Sequence, residues 1–531
     1  MPLTRRTPRK PPVGCTPSEA VAHSAAFIQW ICVPYSELEV PITRPNSNRN
    51  MASGLAPTLR PLSEGMEVDA KPATLPHKKP SVSFWTARAR QSDLIGHAAP
   101  FPHEADCVII GSGMSGTLAA YFILLAEPDL PHGVVMLEAR EAINAATACN
   151  GGHCRPDCYR GYSPYKKLVG KVQAMKILKN EMDTLHLVEK LVSEENIDCD
   201  FWRGRSFDAM MTDDCTADFR SSYDEYIKDA GNIDQVEWIE DKAAAQKATR
   251  LVNVKAAASF PASSFYPYKF TSHLLKRAMS MGLNLQIHTP ATAVTAGDGF
   301  WMIDTPSGTI RTHKVLHATN GYASAIFPEF VGKIVPYYGQ CSSIIPTKAF
   351  SGKNMLKHTM SLYEHRGDST YLIQRSTDGT IILGGGEFVY REEHINNCDD
   401  SKVMPAITEL LRNVMKDNFD GWGEEAHGEG FERDWAGIQG YANRSGILNC
   451  NAQLTSRSVD RRWSALYRRL SRKRRPVRVR RLSRSRYGAY CDLRKRGGYV
   501  DVGAALGGHR IARVLPDYQG TTGPQGQDVR T

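Results

Sequence analysis

The sequence has no run of eighteen uninterrupted apolar residues, and its most apolar N-terminal stretch, Ala25 to Tyr35, is short and interrupted by Gln29. No membrane span is expected from it. Twelve cysteines occur without regular spacing and without a secretory signal pattern, which argues against a disulfide scaffold. Free thiols in a reducing compartment, and so a cytoplasmic location, are expected. Zinc-ligand spacing is also missing: Cys149, His153, Cys154 and Cys158 lie close together but not as a zinc pair, so no metal is expected. Most of the chain lacks net charge as well. Residues 457 to 486 hold fourteen Arg or Lys against one acid, Asp460, so this run carries +13 and the remainder sums to −3 within a total of +10. Trp463 and Tyr467 are the only aromatics in the run, too few for a stacking platform, and a nucleic-acid partner is not expected.

What is present is a core-forming supply of 41% hydrophobic residues over 531 positions, enough for more than one domain. Its organising stretch begins at Ala105. Cys107 to Ile110 is a short apolar, β-branched run and reads as a buried strand, followed at once by Gly111-Ser112-Gly113-Met114-Ser115-Gly116. In this GxGxxG pattern the first glycine permits the tight turn, the second lets the backbone approach a diphosphate, and the third lets the helix pack on the sheet. A helix over Met114 to Leu125 would offer its free N–H groups to the diphosphate, and Pro128 and Pro131 end it. Val134 to Leu137 predicts a second strand. Glu138 closes it, 22 residues after Gly116, where a carboxylate can accept the ribose hydroxyls of a dinucleotide.

The chain then enters Ala146-Thr147-Ala148-Cys149-Asn150-Gly151-Gly152-His153, small and glycine-rich, which suits close passage of a flavin. With this segment the stretch resembles the FAD-dependent oxidoreductases of the D-amino-acid oxidase type, the group that includes glycine, sarcosine and γ-glutamylputrescine oxidases. The resemblance implies an α/β fold: a doubly wound, Rossmann-like FAD-binding domain joined to an α+β substrate domain with an antiparallel sheet. It also implies FAD as cofactor, held by Gly111 to Gly116, by Glu138, Ala139 and Arg140, and by Thr147 to Gly152. Further on, Val294 matches a residue whose backbone meets the adenine, and the strand ending in Ala318, Thr319 and Gly321 matches one over which the cofactor passes, though an ordinary strand remains an alternative.

Across the chain, residues 1–80 are rich in Pro, Arg, Ser and Asn and read as a disordered extension. Residues 81–164 and 263–335 read as the two parts of the FAD-binding domain, 165–262 and 336–442 as those of the substrate domain, and 443–531 as a basic, poorly structured tail. Apolar residues every three or four positions from Tyr165 to Glu195 predict one long amphipathic helix. Tyr371 to Arg375 and Ile381 to Gly386, separated by Asp378-Gly379, predict a hairpin. Pro336 to Gln340 resembles a Pro-x-Arg-Gly-Gln segment of the family, with Tyr338 in place of the arginine. After Tyr441 the resemblance stops, and nothing in the tail reads as closing a doubly wound sheet.

By resemblance, the reaction is oxidation of the C–N bond of a small primary or secondary amine or amino acid, with hydride passing to the flavin and oxygen as a possible acceptor. His153 and Arg375 are the candidate catalytic residues, and Arg155 and Arg366 are further candidates for a substrate carboxylate, since a guanidinium pairs with it bidentately. Each arginine has an alternative as a solvated side chain, and His153 as a structural hydrogen-bonder. Cys149 stands where some relatives tether FAD covalently, and its other reading is a small buried thiol. The competing functional expectation is a truncated or inactive relative with impaired FAD binding.

Overall fold

The computed structural model describes residues 71–365, 368–442 and 500–501 of the chain. Parallel strands build its first layer, in the order Val500–Asp501, Val315–His317, Cys107–Ile110, Val134–Leu137, Asn284–Gln286. Cys107–Ile110 and Val134–Leu137 are buried along their whole length, as continuous β-branched runs covered on both faces must be. The helix Met114–Ala126 follows the glycine turn and packs beside the helix Pro267–Ser280, which carries proline in its first turn, where no N–H is missed. A small sheet of Glu104–Ala105, Gly308–Thr312, Trp301–Thr305 and Ala293–Ala296 includes the hairpin turned at Pro306-Ser307-Gly308.

The second, larger layer is mostly antiparallel. Its strands run Gly430–Ala442, Ile334–Ile345, Ile381–Gly384, Asp368–Gln374, Thr359–His365, Trp202–Met210, Ala256–Ser264, His153–Cys154, with Glu237–Ile239 also beside Ala256–Ser264. Only Trp202–Met210 and Thr359–His365 pair in parallel. The predicted hairpin is present, with Tyr371 opposite Gly384 and Gln374 opposite Ile381. Residues from both layers, among them Met136 and Ile109 of the parallel sheet and Ile373 and Ile382 of the antiparallel one, share one apolar core with Trp435. The site between the layers is therefore held by a continuous packed interior.

Three expectations are corrected. The long helix from Tyr165 to Glu195 is two helices, Tyr162–Val169 and Lys171–Glu194, because Gly170 takes φ 80° and ψ 164° and ends the first. Leu168 and Val172, which kept the apolar period across that break, are 37% and 47% exposed. Residues 71–80, counted with the extension, lie against the body: Ala73 is buried and its N–H donates to Ser324 Oγ at 2.9 Å. Within the tail, the backbone of Val500–Asp501 runs parallel to Leu316 and His317 and adds a strand to the doubly wound sheet, a two-residue pairing too short to show as a pattern.

Candidate functional site

A cavity of about 660 Å3, in the size range of small-molecule sites, lies between the layers. One end is the glycine turn. Gly111 takes φ +109°, and a Cβ there would stand 2.5 Å from Ala318 O, while a Cβ on Gly116 would stand 2.0 Å from Gly111 O. These two glycines bring strand, turn and helix together. Gly113 faces the cavity, and a Cβ on it would meet only Thr147 Oγ1, at 3.1 Å, so its bareness leaves room on the cavity side. Met114 and Ser115 also line the cavity, and Met114 N–H donates to Thr147 Oγ1 at 2.8 Å.

Glu138 borders the same space from the end of Val134–Leu137. Its Oε2 accepts from Ser112 N–H at 3.0 Å and Ser112 Oγ at 2.6 Å, and its Oε1 from Arg140 N–H at 3.0 Å. Oε1 thus keeps a lone pair for a ribose hydroxyl. Ala139, Arg140, Ala318 and Thr319 complete this end, and the buried Oγ1 of Thr319 has no partner within the protein. Bare glycine, an oriented carboxylate and an orphaned hydroxyl at one end of a long cavity fit the adenosine diphosphate half of a dinucleotide.

The other end reaches the antiparallel sheet. Thr147, Cys149, Asn150, Gly151 and His153 form one wall, with Gly339, Gln340, Cys341, Tyr363, Tyr371 and Gly437 across from it. Close passage is built in: a Cβ on Gly437 would approach Cys149 Cβ to 2.8 Å, and one on Gly151 would meet the Tyr371 ring at 2.5 Å. Burial, reinforced by Asp400, pushes the Cys149 thiol above its usual range, so it stays protonated, and Trp435 Nε1 donates to its carbonyl at 2.7 Å. His153 is 9% exposed, with Nε2 2.6 Å from Thr359 Oγ1. Burial and then the neighbouring Arg155 guanidinium hold its pKa well below the ordinary histidine value, so the ring is neutral at pH 7.

Arg155 also lines the cavity. Its Nε donates to Ser206 Oγ at 2.8 Å, its Nη2 to Phe207 O at 3.1 Å and to Asp208, and its Nη1 to Tyr363 OH at 3.2 Å. Arg160 donates to the same phenol oxygen and pairs with Asp157 and Asp208. Two guanidiniums and two carboxylates are thus packed together with charges balanced, which is how buried ions are tolerated. Because Tyr363 OH accepts from both arginines, its own proton is left to donate.

Other site expectations fall elsewhere. Arg375 does not border the cavity: it pairs with Asp200 at 3.3 Å and Asp378 at 3.0 Å, and its guanidinium lies against the rings of Phe84, Trp85 and Tyr266. Its strand ends at Gln374, and the turn that follows carries it away from Tyr371. Arg366 lies outside the described residues. Val294 packs opposite Ile303 in the small sheet, and the cavity wall there is Pro290 and Ala291, three to four residues earlier. Gly321 is tucked against the last antiparallel strand, where a Cβ would meet Gln439 O at 2.6 Å. Ser112 and Gly116 act from behind the cavity. So do Ala148, which is fully buried, and Gly152, where a Cβ would stand 2.7 Å from Phe265 O.

Comparison with known proteins agrees with this geometry. The family described as FAD dependent oxidoreductase matches residues 106–455. A probable oxidoreductase, OrdL, of Rhizobium meliloti (strain 1021) is 22% identical over 298 residues, which are 54% of this chain and 65% of that protein, so the chain spans just under two thirds of that relative's length. Among solved structures, glycine oxidase from Geobacillus kaustophilus is 18% identical, with a TM-score of 0.50 over 64% of this chain and 84% of its own, a likeness of fold. An L-proline dehydrogenase from P. horikoshii is 19% identical, with a TM-score of 0.49 over 64% of this chain and 82% of its own. The chain belongs to the FAD-dependent oxidoreductases, and FAD is its cofactor.

Proposed function

We propose that this enzyme oxidises the C–N bond of a small primary or secondary amine or amino acid, with oxygen as an electron acceptor. The observation that carries the reading is one cavity joining the dinucleotide turn at Gly111 and Gly113 to the antiparallel sheet at Tyr363 and Tyr371, with neutral His153 in the wall at the sheet end. FAD, when bound, supplies the hydride acceptor. The protein's own tasks are then to seat the amine, keep it unprotonated and exclude water. An amine must carry its lone pair to stabilise the cation that develops as hydride leaves. A neutral His153 places no positive charge beside the cation that develops, which a protonated ring would oppose. The Tyr363 hydroxyl and the remaining Nη1–H of Arg155 offer donors to a carboxylate or another acceptor on the substrate. Arg155 is already tied to Asp208, so it binds such a group through one N–H rather than as a free fork.

A cytoplasmic location fits the eight cysteines among the described residues, which are all unbridged. The test of the proposal is anaerobic mixing of the yellow protein with a panel of primary amines, secondary amines and amino acids. Bleaching of the flavin by one of these classes, with peroxide formed when oxygen is readmitted, is the expected result. Bleaching only by alcohols, hydroxy acids or glycerophosphates would overturn it.

A further inference from the structure

We propose that residues 71–81 belong to the cofactor site, where with Asp400 they aim the Nε–Nη2 edge of Arg140 at the diphosphate of FAD. The proposal rests on FAD as cofactor and not on the substrate. Arg140 has a side chain only 4% exposed and lines the cavity. Its Nη1 is fully used, donating to Asp400 at 2.9 and 3.1 Å and to the carbonyl of His77 at 3.0 Å. Its Nε and Nη2 have no partner in the protein. Those two atoms form the edge through which a guanidinium gives two parallel N–H bonds to one oxyanion. A buried, rigidly held fork of this kind is a built site for a phosphate oxygen, since buried donors without partners are rare in folded proteins.

The fork is held from two sides. Asp400 neutralises the guanidinium from behind, so that Arg140 and Asp400 act as an oriented pair with the positive edge toward the cavity. From the chain's N-terminal side comes a strap, residues 71–81. Ala73 N–H is fixed to Ser324 Oγ at 2.9 Å, Ser81 N–H to Asp400 O at 2.7 Å, and Ser81 Oγ accepts from Ala436 N–H at 2.8 Å. Between these anchors Leu75 and Pro76 form part of the cavity wall, and His77 gives Arg140 its backbone carbonyl. Tyr322, whose buried hydroxyl also has no partner in the protein, lines the cavity close to Arg140 and Asp400 and adds a donor to the same region. A segment lying before the dinucleotide fold thus completes the cofactor's enclosure.

The test uses the full chain loaded with FAD and follows release of the cofactor on dilution by the rise in flavin fluorescence. Arg140→Met should speed release at least about tenfold, the scale of a lost charge-assisted pair of bonds, and Arg140→Lys should fall between, keeping the charge but not the fork. ADP should compete with FAD for rebinding less well in Arg140→Met by a similar factor, while riboflavin competes unchanged. Trypsin cleavage after Lys78, in the strap, should be slower with FAD bound than after its removal. Release from Arg140→Met at the wild-type rate, an effect on riboflavin instead of ADP, or Lys78 cleavage indifferent to FAD would each overturn the proposal. Should Arg140→Met fail to fold, Arg140→Lys and the Lys78 cleavage decide. A wild-type chain that takes up no FAD would instead remove the cofactor reading itself.

Discussion

Ser112 gives both its backbone N–H, at 3.0 Å, and its hydroxyl, at 2.6 Å, to one oxygen of Glu138. The hydroxyl oxygen of Ser112 in turn accepts from Ile143 N–H at 2.8 Å, so the carboxylate at the end of one strand fixes the turn at the end of its neighbour. Glu138→Ala removes the ribose acceptor and strands the buried Ser112 donors. FAD affinity should fall roughly 10- to 100-fold and stability by about 1–3 kcal/mol, the usual cost of an unpaired buried polar group. Calorimetric titration with FAD and denaturant unfolding measure the two effects. Unchanged FAD affinity would remove Glu138 from the cofactor site.

Gly113 and Gly116 should fail differently when given a side chain. At Gly113 the added Cβ meets only a hydroxyl at 3.1 Å, so Gly113→Val should fold, show an ordinary circular dichroism spectrum and lack FAD. At Gly116 the Cβ would stand 2.0 Å from a backbone carbonyl, so Gly116→Val should lose stability and accumulate as insoluble protein. A Gly113→Val protein with stoichiometric yellow cofactor would contradict the assignment of the turn.

Arg375 offers a contrast between ion pairing and catalysis. Arg375→Met leaves Asp200 with only Lys269, at 3.4 Å, and removes the guanidinium from three aromatic rings. Stability should drop by about 3 kcal/mol, while KM for the substrate stays within twofold. A large rise in KM with unchanged stability would return Arg375 to the substrate pocket.

His317 makes the fold sensitive to acid. Burial in the parallel sheet pushes its pKa down to about 3. The unfolded chain protonates this histidine near its ordinary value of 6.5 and the folded chain does not, so its contribution is complete above that value and is lost as pH falls toward 3. At pH 5 the loss relative to pH 7.5 should be about 2 kcal/mol, and His317→Gln should flatten the dependence. Identical pH slopes for the two proteins in denaturant titrations would contradict it. His153, depressed in the same direction, adds to the same window.

The doubly wound part of the molecule was legible because each step has a local signature: a β-branched run, three glycines with separate steric duties, a helix and an acid in register. The hairpin at Asp378-Gly379 was legible for the same reason. What escaped depends on contacts between distant segments. Leu75 and Pro76 sit in a segment without period, and their place is fixed by bonds from Ala73 to Ser324 and from Ser81 to Asp400. Tyr363 gains its role from two arginines some two hundred positions earlier, which no spacing announces. Arg375 is a candidate as a guanidinium that could pair with a substrate carboxylate, yet the strand ends one residue before it and the turn carries it to Asp200 and Asp378. Ala291 and not Val294 reaches the cavity, a slip of three residues of the kind that loop geometry decides.

The most direct measurement is the absorbance spectrum of the purified full-length chain before and after denaturation. Flavin bands with close to one FAD per chain are expected, with the cofactor released into solution on denaturation, since burial keeps the Cys149 thiol protonated. A chain that remains colourless after incubation with excess FAD would contradict it and favour an inactive relative, and a yellow band that persists on a denaturing gel would overturn the reading of Cys149 alone.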